Sequence, residues 1–454
     1  MQYENIQKAM GVDIAISKKM STAIYQWGKM YTNEAPWVKG DIKSLGIPAS
    51  ICTEMARLVT MESKIVISGS ARADMIAQYM EPFLCNLSRY VEYACSTGGI
   101  SFKPYMDGKG IAVDVTKAGY FYPVSFDSAE NITGVIFPEF KRVGKKLFTR
   151  LEYQQFVDEN YRIINKAFVS RQAQVKNDNV INLGQEISLE EIPEWENIEP
   201  YVEFRNADRT LFSYFKIPVA NNIDPESPLG VSIYARAADQ IRDADEQYGA
   251  ALWEYRSKET AIQATSEFFK HDRQGNAIMP KGKERQYVDM GNNVTDTDGK
   301  PFFNVYSPEI RDESFFNGYN KIIQKVEFNS GLAYGTLSDP QVVDKTAEEI
   351  KMSKQRSYST VKAIQNKLGD ALRVLVNAID AWITIENLAP PGNVNLAMSW
   401  DDSLVTDKKA EREQDLQDLA AGIMQAYEYR MKWYGEDEKT AREKVATPAE
   451  VIEE

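Results

Sequence analysis

The residue types that carry out catalysis are sparse in this chain and nowhere set at catalytic spacing. The one histidine, His271, lies in the polar run His271-Asp-Arg-Gln-Gly-Asn276. Neither a multi-histidine metal site nor a supported Cys–His pair is available, and His271 reads as a surface turn residue. Cys52, Cys85 and Cys95 form an odd set without metal-type pairing, so they read as buried reduced thiols rather than a disulfide framework. Asp296-Thr-Asp298-Gly299 begins like part of a calcium loop. That pattern fails, because Val294 stands at the first ligand position and Val305 at the twelfth, where a bidentate Glu is required. A hairpin turn with Asp298-Gly299 at its tip accounts for these residues better. No Gly-x-x-x-x-Gly-Lys-Ser/Thr run occurs, and Val143-Gly-Lys-Lys146 is only a basic turn, so there is no recognisable nucleotide-phosphate cradle. The many carboxylates supply no coherent set of acid, base and nucleophile. The chain is expected not to be an enzyme, and no metal or cofactor is expected in it.

The elements are more informative than the side chains. With 454 residues, 43% of them hydrophobic and 26% charged, the chain can bury a substantial core and should form more than one structural unit. No apolar run reaches membrane-spanning length, and residues 1–20 lack the compact apolar core of a signal peptide, so a soluble protein made and used in a cytoplasm is expected. A formal charge of −13 argues against gripping nucleic acid through a basic face.

Along the chain, 51–67 and 71–94 have helical spacing, and Gly98-Gly99 then breaks it. Strand-like alternation follows at 100–105, 111–115, 134–137, 146–153 and 161–169. Acidic residues and prolines at 188–200 suggest an exposed loop before a strand at 211–217, and 221–230 reads as a hinge. Residues 231–269 are helix-compatible, 270–307 are turn-rich and short-stranded, and 311–330 return to a helix with Phe315, Tyr319, Ile322, Ile323 and Val326 on one stripe. Gly331, Gly335 and Pro340 interrupt that helix. After them, Thr346 or Asp344 can cap a new helix, with Glu348 and Glu349 in its first turn. It has no convincing stop before Pro390, and Val361, Ile364, Leu368, Leu372, Leu375, Ile379 and Ile383 form one apolar stripe. About forty residues at ~1.5 Å rise span roughly 60 Å, the length of a coiled-coil arm or of the spine of an assembly. A short strand at 394–400 and an acidic helical segment at 401–454, with 15 acidic and 8 basic residues, complete an α+β chain.

The join Gly331-Leu-Ala-Tyr-Gly-Thr336 followed by Lys345-Thr-Ala-Glu-Glu-Ile350 resembles the tunnel loop and tunnel helix of tailed-phage portal proteins, in particular those of siphophages and prophages. Leu45-Gly-Ile-Pro48 with Met55-Ala-Arg-Leu-Val59, Pro228-Leu-Gly-Val-Ser232, and Trp433-Tyr-Gly435 with Asp437-Glu438 support it in the same order, over nearly the whole chain. The resemblance implies a wing at 1–228, stem helices at 229–269 and 309–330, and a clip at 270–308. It also implies a tunnel loop at 331–345, a long tunnel helix at 346–388, a strand returning to the wing at 389–402 and a crown at 403–454. It implies a dodecameric ring at one capsid vertex of the virion, assembled in the host cytoplasm, through which double-stranded DNA is packaged and ejected. Implied partners are the terminase large subunit, head-completion and adaptor proteins, and the major capsid and scaffolding proteins. A mostly acidic tunnel wall would repel phosphates and let the duplex pass. On this reading Tyr334, Thr336, Val342, Val343 and Lys345 are tunnel-loop residues, and Lys351 and Lys354 are candidate basic channel rings. Arg273, Lys281, Lys283, Asp296 and Asp298 belong to the clip docking surface. The alternative is a non-enzymatic oligomeric helical scaffold, which should show sustained heptads instead of a strand module inserted between helices.

Overall fold

The computed structural model describes residues 3–171, 182–274, 277–278, 287–339, 347–400 and 408–446, apart from positions 62, 109, 158, 206, 208, 259–260, 293, 308, 310 and 437. Among the described residues, helices make up 43% and strands 25% of an α+β structure without a closed barrel. Its contacts divide it into one unit formed by 1–60 and 66–396 and a second formed by 61–65 and 397–454.

The larger unit opens with helices Glu4–Met10, Lys18–Tyr31 and Ile47–Thr60. Ser17 caps the second of these, its hydroxyl accepting the Met20 amide at 3.2 Å. The helical spacing at 71–94 resolves into two helices, Ala71–Leu84 and Leu87–Thr97, with Pro82 inside the last turn of the first and the Asn86 amide turned back to the Phe83 carbonyl at 3.0 Å where it ends. Cys85 falls in that break and is exposed, a correction to the expectation of three buried thiols, while Cys52 and Cys95 are buried as expected. Gly98 then turns the chain at φ 91°, where its backbone crosses that of Gly230. A Cβ on Gly230 would lie 2.0 Å from the Gly98 carbonyl oxygen. The run Pro228-Leu-Gly-Val-Ser232 is thus a crossing point, locked by the Ile233 amide and Ser232 hydroxyl donating to the Cys95 carbonyl at 3.0 and 3.1 Å.

Two antiparallel sheets follow. Gly99–Met106 lies between Ser213–Lys216 and Ile111–Lys117. A six-stranded sheet runs Tyr122–Phe126, Ile132–Val143, Lys146–Val157, Asn160–Arg171 and Gln185–Ile187, with Tyr201–Arg205 also on Asn160–Arg171. Side chains alternate between its faces. One face packs Tyr122, Ile136, Leu151, Tyr153 and Phe168 against Tyr3 and Ile6. The other packs Phe148 and Ala167 against Leu189, Ile192 and Trp195. The segment expected as an exposed loop at 188–200 is therefore a lid on a core, with Trp195 only 1% exposed. Lys103 links the two sheets through its 2.8 Å ion pair to Glu152, which also lies 3.1 Å from Arg150. Burial alone would raise the Glu152 carboxyl, but Lys103 and Arg150 outweigh it and bring it down to about 2.

Helix Ala238–Ser257 is shorter than the helix-compatible stretch at 231–269, because strand Ala261–Ala264 takes over its end. That strand pairs with Tyr287–Asp289 and Phe303–Tyr306 to make a small inserted module. The chain returns as helix Asp312–Ser330 and, after the loop, as the 39-residue helix Ala347–Ile385. The stripe from Val361 to Ile383 is buried as its spacing predicts. Polar anchors fix this helix in place: Ser213 Oγ donates to the Ala371 carbonyl at 2.7 Å, and the buried Arg72 pairs with Asp380 at 2.5 Å and donates to its carbonyl at 2.6 Å. Strand Asn395–Trp400 pairs with Ser63–Ser68.

The smaller unit holds helices Lys408–Ala420, Ala426–Tyr434 and Glu438–Ala446. Trp433 Nε1 donates to Asp415 at 2.7 Å, and Arg430 grips Glu436 through two 2.9 Å bonds.

Candidate functional site

The apolar stripe of helix Asp312–Ser330 is interrupted by three polar residues on its buried side. Asn320, Glu327 and Ser330 are 6%, 0% and 1% exposed. Glu327 is the organiser of the loop that follows. Its Oε1 accepts the Leu337 and Ser338 amides at 2.6 and 2.9 Å, and its Oε2 accepts the Ser338 hydroxyl at 2.8 Å and the Gly335 amide at 3.3 Å. No cation pairs with it among the described residues, so its partners are backbone dipoles and a hydroxyl. Asn320 Oδ1 accepts the Asp339 amide at 2.9 Å and carries the same bracing one residue further.

Gly331 ends the helix at φ 75°, the left-handed conformation that suits glycine at a C-terminus. A side chain there would meet Thr360 Oγ1 at 2.8 Å, so the loop starts directly against the long helix. Leu332 is fully buried, and Gly335 turns the chain at φ 83°. From the long helix, the Arg356 guanidinium lies 4.0 Å over the Phe328 ring and 5.9 Å from that of Tyr334. The loop at 331–339 is therefore a braced turn clamped between two helices.

Of the residues expected in this loop, Tyr334 is half-buried beneath Arg356, and the Thr336 hydroxyl donates to the Ala333 carbonyl at 2.6 Å. Val342, Val343 and Lys345 lie outside the described residues. Lys354 is exposed on the long helix; Lys351 lies on the same helix, and its side chain is outside the described set.

The inserted module is fixed at its base by a second carboxylate. Glu254 accepts Arg311 Nε and Nη2, each at 3.1 Å, and pairs with Lys258 at 2.6 Å. This closes the end of helix Ala238–Ser257 onto the start of helix Asp312–Ser330. Hydrogen bonds from Arg311 and then Lys258 hold the Glu254 carboxyl down at about 2. Within the module, the Asp296 carboxylate accepts the Asp298 and Lys300 amides at 2.9 Å, so it serves its own hairpin turn. Asp298 stands at that turn beside Gly299 at φ 73°, as the sequence predicts. Arg273 is exposed, and Lys281 and Lys283 lie outside the described residues. His271 is exposed at the end of a two-residue strand. Strand Phe303–Tyr306 is exposed along its whole length. Among the described residues no cluster of three or more His, Cys, Asp or Glu could hold a metal ion, and no helix is long and apolar enough to cross a membrane.

No protein-family model matches this chain, and no curated protein matches it. A solved structure described as "Neck of native GTA particle computed with C12 symmetry" is similar over 94% of this chain and 97% of that one, at 11% identity and a TM-score of 0.46. A likeness of that size fixes neither a family nor a role for this chain.

Proposed function

We propose that this chain is the subunit of a ring-shaped portal at one vertex of a phage head, through which double-stranded DNA enters and leaves. The observation that carries the reading is the turn at 331–339 beside the long helix. The part of the portal-like sequence that is described, 331–339, is a carboxylate-braced turn packed against the 39-residue helix Ala347–Ile385. Before it, two helices flank a small strand module, the order that a stem and clip require. A scaffold made only of long helices has no use for that insertion.

On this reading the protein has no catalytic chemistry of its own. The module at 261–307 is the docking end for a terminase, which supplies the ATP-driven work, and later for head-completion proteins. Its exposed Phe268, Phe303 and Val305 suit protein contact. The long helix braces the channel, and the acidic chain keeps DNA from sticking to the wall. A ring places every copy of a residue at one height, so a single charge per subunit becomes an annulus.

Native mass spectrometry of the purified chain with negative-stain imaging tests the proposal. A closed ring of about twelve subunits with a central hole is expected. A monomer or dimer at every concentration, with or without capsid and scaffolding proteins, overturns it.

A further inference from the structure

The six-stranded sheet segregates charge. The hairpin joining Ile132–Val143 to Lys146–Val157 ends in Lys141, Arg142, Lys145 and Lys146, and Arg171 stands opposite Lys146 on the next strand. In a chain of formal charge −13 this is a marked concentration of cations. Lys141 pairs with Glu194. Lys145 and Lys146 are exposed and have no ion pair among the described residues.

The segment at 186–199 carries the opposite sign. Glu186, Glu190, Glu191, Glu194, Glu196 and Glu199 are exposed, and the stretch contains no Lys or Arg. Four of these, Glu186, Glu190, Glu196 and Glu199, line a polar hollow of about 380 Å³ beside Asn165 to Ala167. Lys166 also lines it, but its ammonium donates to the Ala9 carbonyl at 2.9 Å. The hollow has a rigid frame. Beneath it Leu189, Ile192 and Trp195 pack on Phe148 and Ala167, and Trp195 Nε1 donates to Glu139 at 3.1 Å.

The basic tip and the acidic hollow are opposite in charge, and among the described residues only Lys141, at the foot of the hairpin, reaches the acidic segment, through Glu194, which does not line the hollow. Arg171 and Lys146 lie four residues beyond Ala167 along the strand, about 13 Å at ~3.3 Å per residue, and the Lys145 turn points further away. A second copy is the occupant that carries both surfaces.

We infer that the basic hairpin tip of one copy enters the acidic hollow of a second copy. The two surfaces differ, so the contact is head-to-tail, and its repetition either closes a ring or runs on as a filament. The inference rests on the ring reading and gives it a specific seam between neighbours. Exposed charge pairs are weakened by salt, so high ionic strength should shift rings toward subunits.

Two charge-reversed chains test it by native mass spectrometry: Lys145→Glu with Lys146→Glu, and Glu190→Lys with Glu196→Lys. Circular dichroism first checks that each is folded. At the concentration where the unaltered chain forms rings, each variant alone should lose them, because like charges then face each other at every seam. An equimolar mixture should restore rings, since alternating copies again place opposite charges together. If the unaltered chain forms rings and either folded variant does so alone, or the mixture fails, the seam is wrong while the ring reading stands. If the unaltered chain forms no ring, both fall. A tip variant that assembles normally but loses retention of duplex DNA in a filter-binding assay would make the tip a DNA contact and overturn the seam.

Discussion

At the scale of single residues, the loop between the two long helices depends on Glu327. Its two oxygens receive three backbone amides and a hydroxyl, all within or beside a buried space. Each donor left unsatisfied by its removal costs about 1–3 kcal/mol, so Glu327→Ala should lower stability by roughly 3 kcal/mol or more, with some donors recovered by water. Glu327→Gln keeps one acceptor oxygen and should cost less. Hydrogen exchange read residue by residue checks this, because the amides of Leu337 and Ser338 should lose protection in Glu327→Ala while Ala371 on the long helix does not. Uniform loss along the chain would mean that Glu327 supports the core generally and not the loop. This residue leaves a trace in the sequence. Asn320, Ile323, Glu327 and Ser330 follow three-and-four spacing, and polar side chains on a buried stripe announce specific partners. The partners themselves lie up to 11 residues ahead in irregular backbone, where no periodic pattern points to them.

At the scale of elements, periodicity located the helices and strands wherever one face was buried over several turns, as for Val361 to Ile383. It failed where local chemistry overrode the period. A break at Cys85 and Asn86 splits a stretch whose spacing is continuous, and the acidic surface of 188–200 hid Leu189, Ile192 and Trp195, three apolar residues at intervals of three beneath a row of glutamates. The inserted module was legible as turns and short strands, but its attachment was not, since Glu254 and Arg311 are 57 residues apart. That attachment has a pH signature. The carboxyl of Glu254 falls from an ordinary value of 4.5 to about 2, so its contribution to closure is complete above about pH 4.5 and disappears as the pH drops toward 2. Glu152 is also held at about 2 and titrates across the same window, so global melting would mix the two. Acid-stable protease cleavage mapped to 258–311 separates them. Cleavage there should rise between pH 4.5 and 2 in the unaltered chain and be high already at pH 5 in Arg311→Leu. A module equally protected in that variant at pH 5 would show that the ion pair does not hold its base.

At the scale of the whole molecule, the strongest consequence of a ring is that weak features become collective. Lys354 is a single exposed charge on a long helix, and on one subunit its role would be ordinary solvation. Twelvefold repetition around a channel would turn it into a belt of positive charge against an acidic wall, strong enough to slow or hold a passing duplex while each contact stays salt-labile. Lys351, one helical turn earlier, would thicken the same belt. The buried stripe begins at Val361 and the anchors lie at Ala371 and Asp380, all further along the helix than either lysine, so reversing both should leave assembly intact. Rings of Lys351→Glu with Lys354→Glu should therefore match the unaltered ring in native mass and in negative stain. In a reconstituted head-filling assay they should differ by several-fold in the amount of DNA packaged or in its loss after packaging stops, and the difference should shrink as salt is raised. Packaging and retention identical to the unaltered ring at low salt would remove both lysines from the channel and return the long helix to a purely mechanical role.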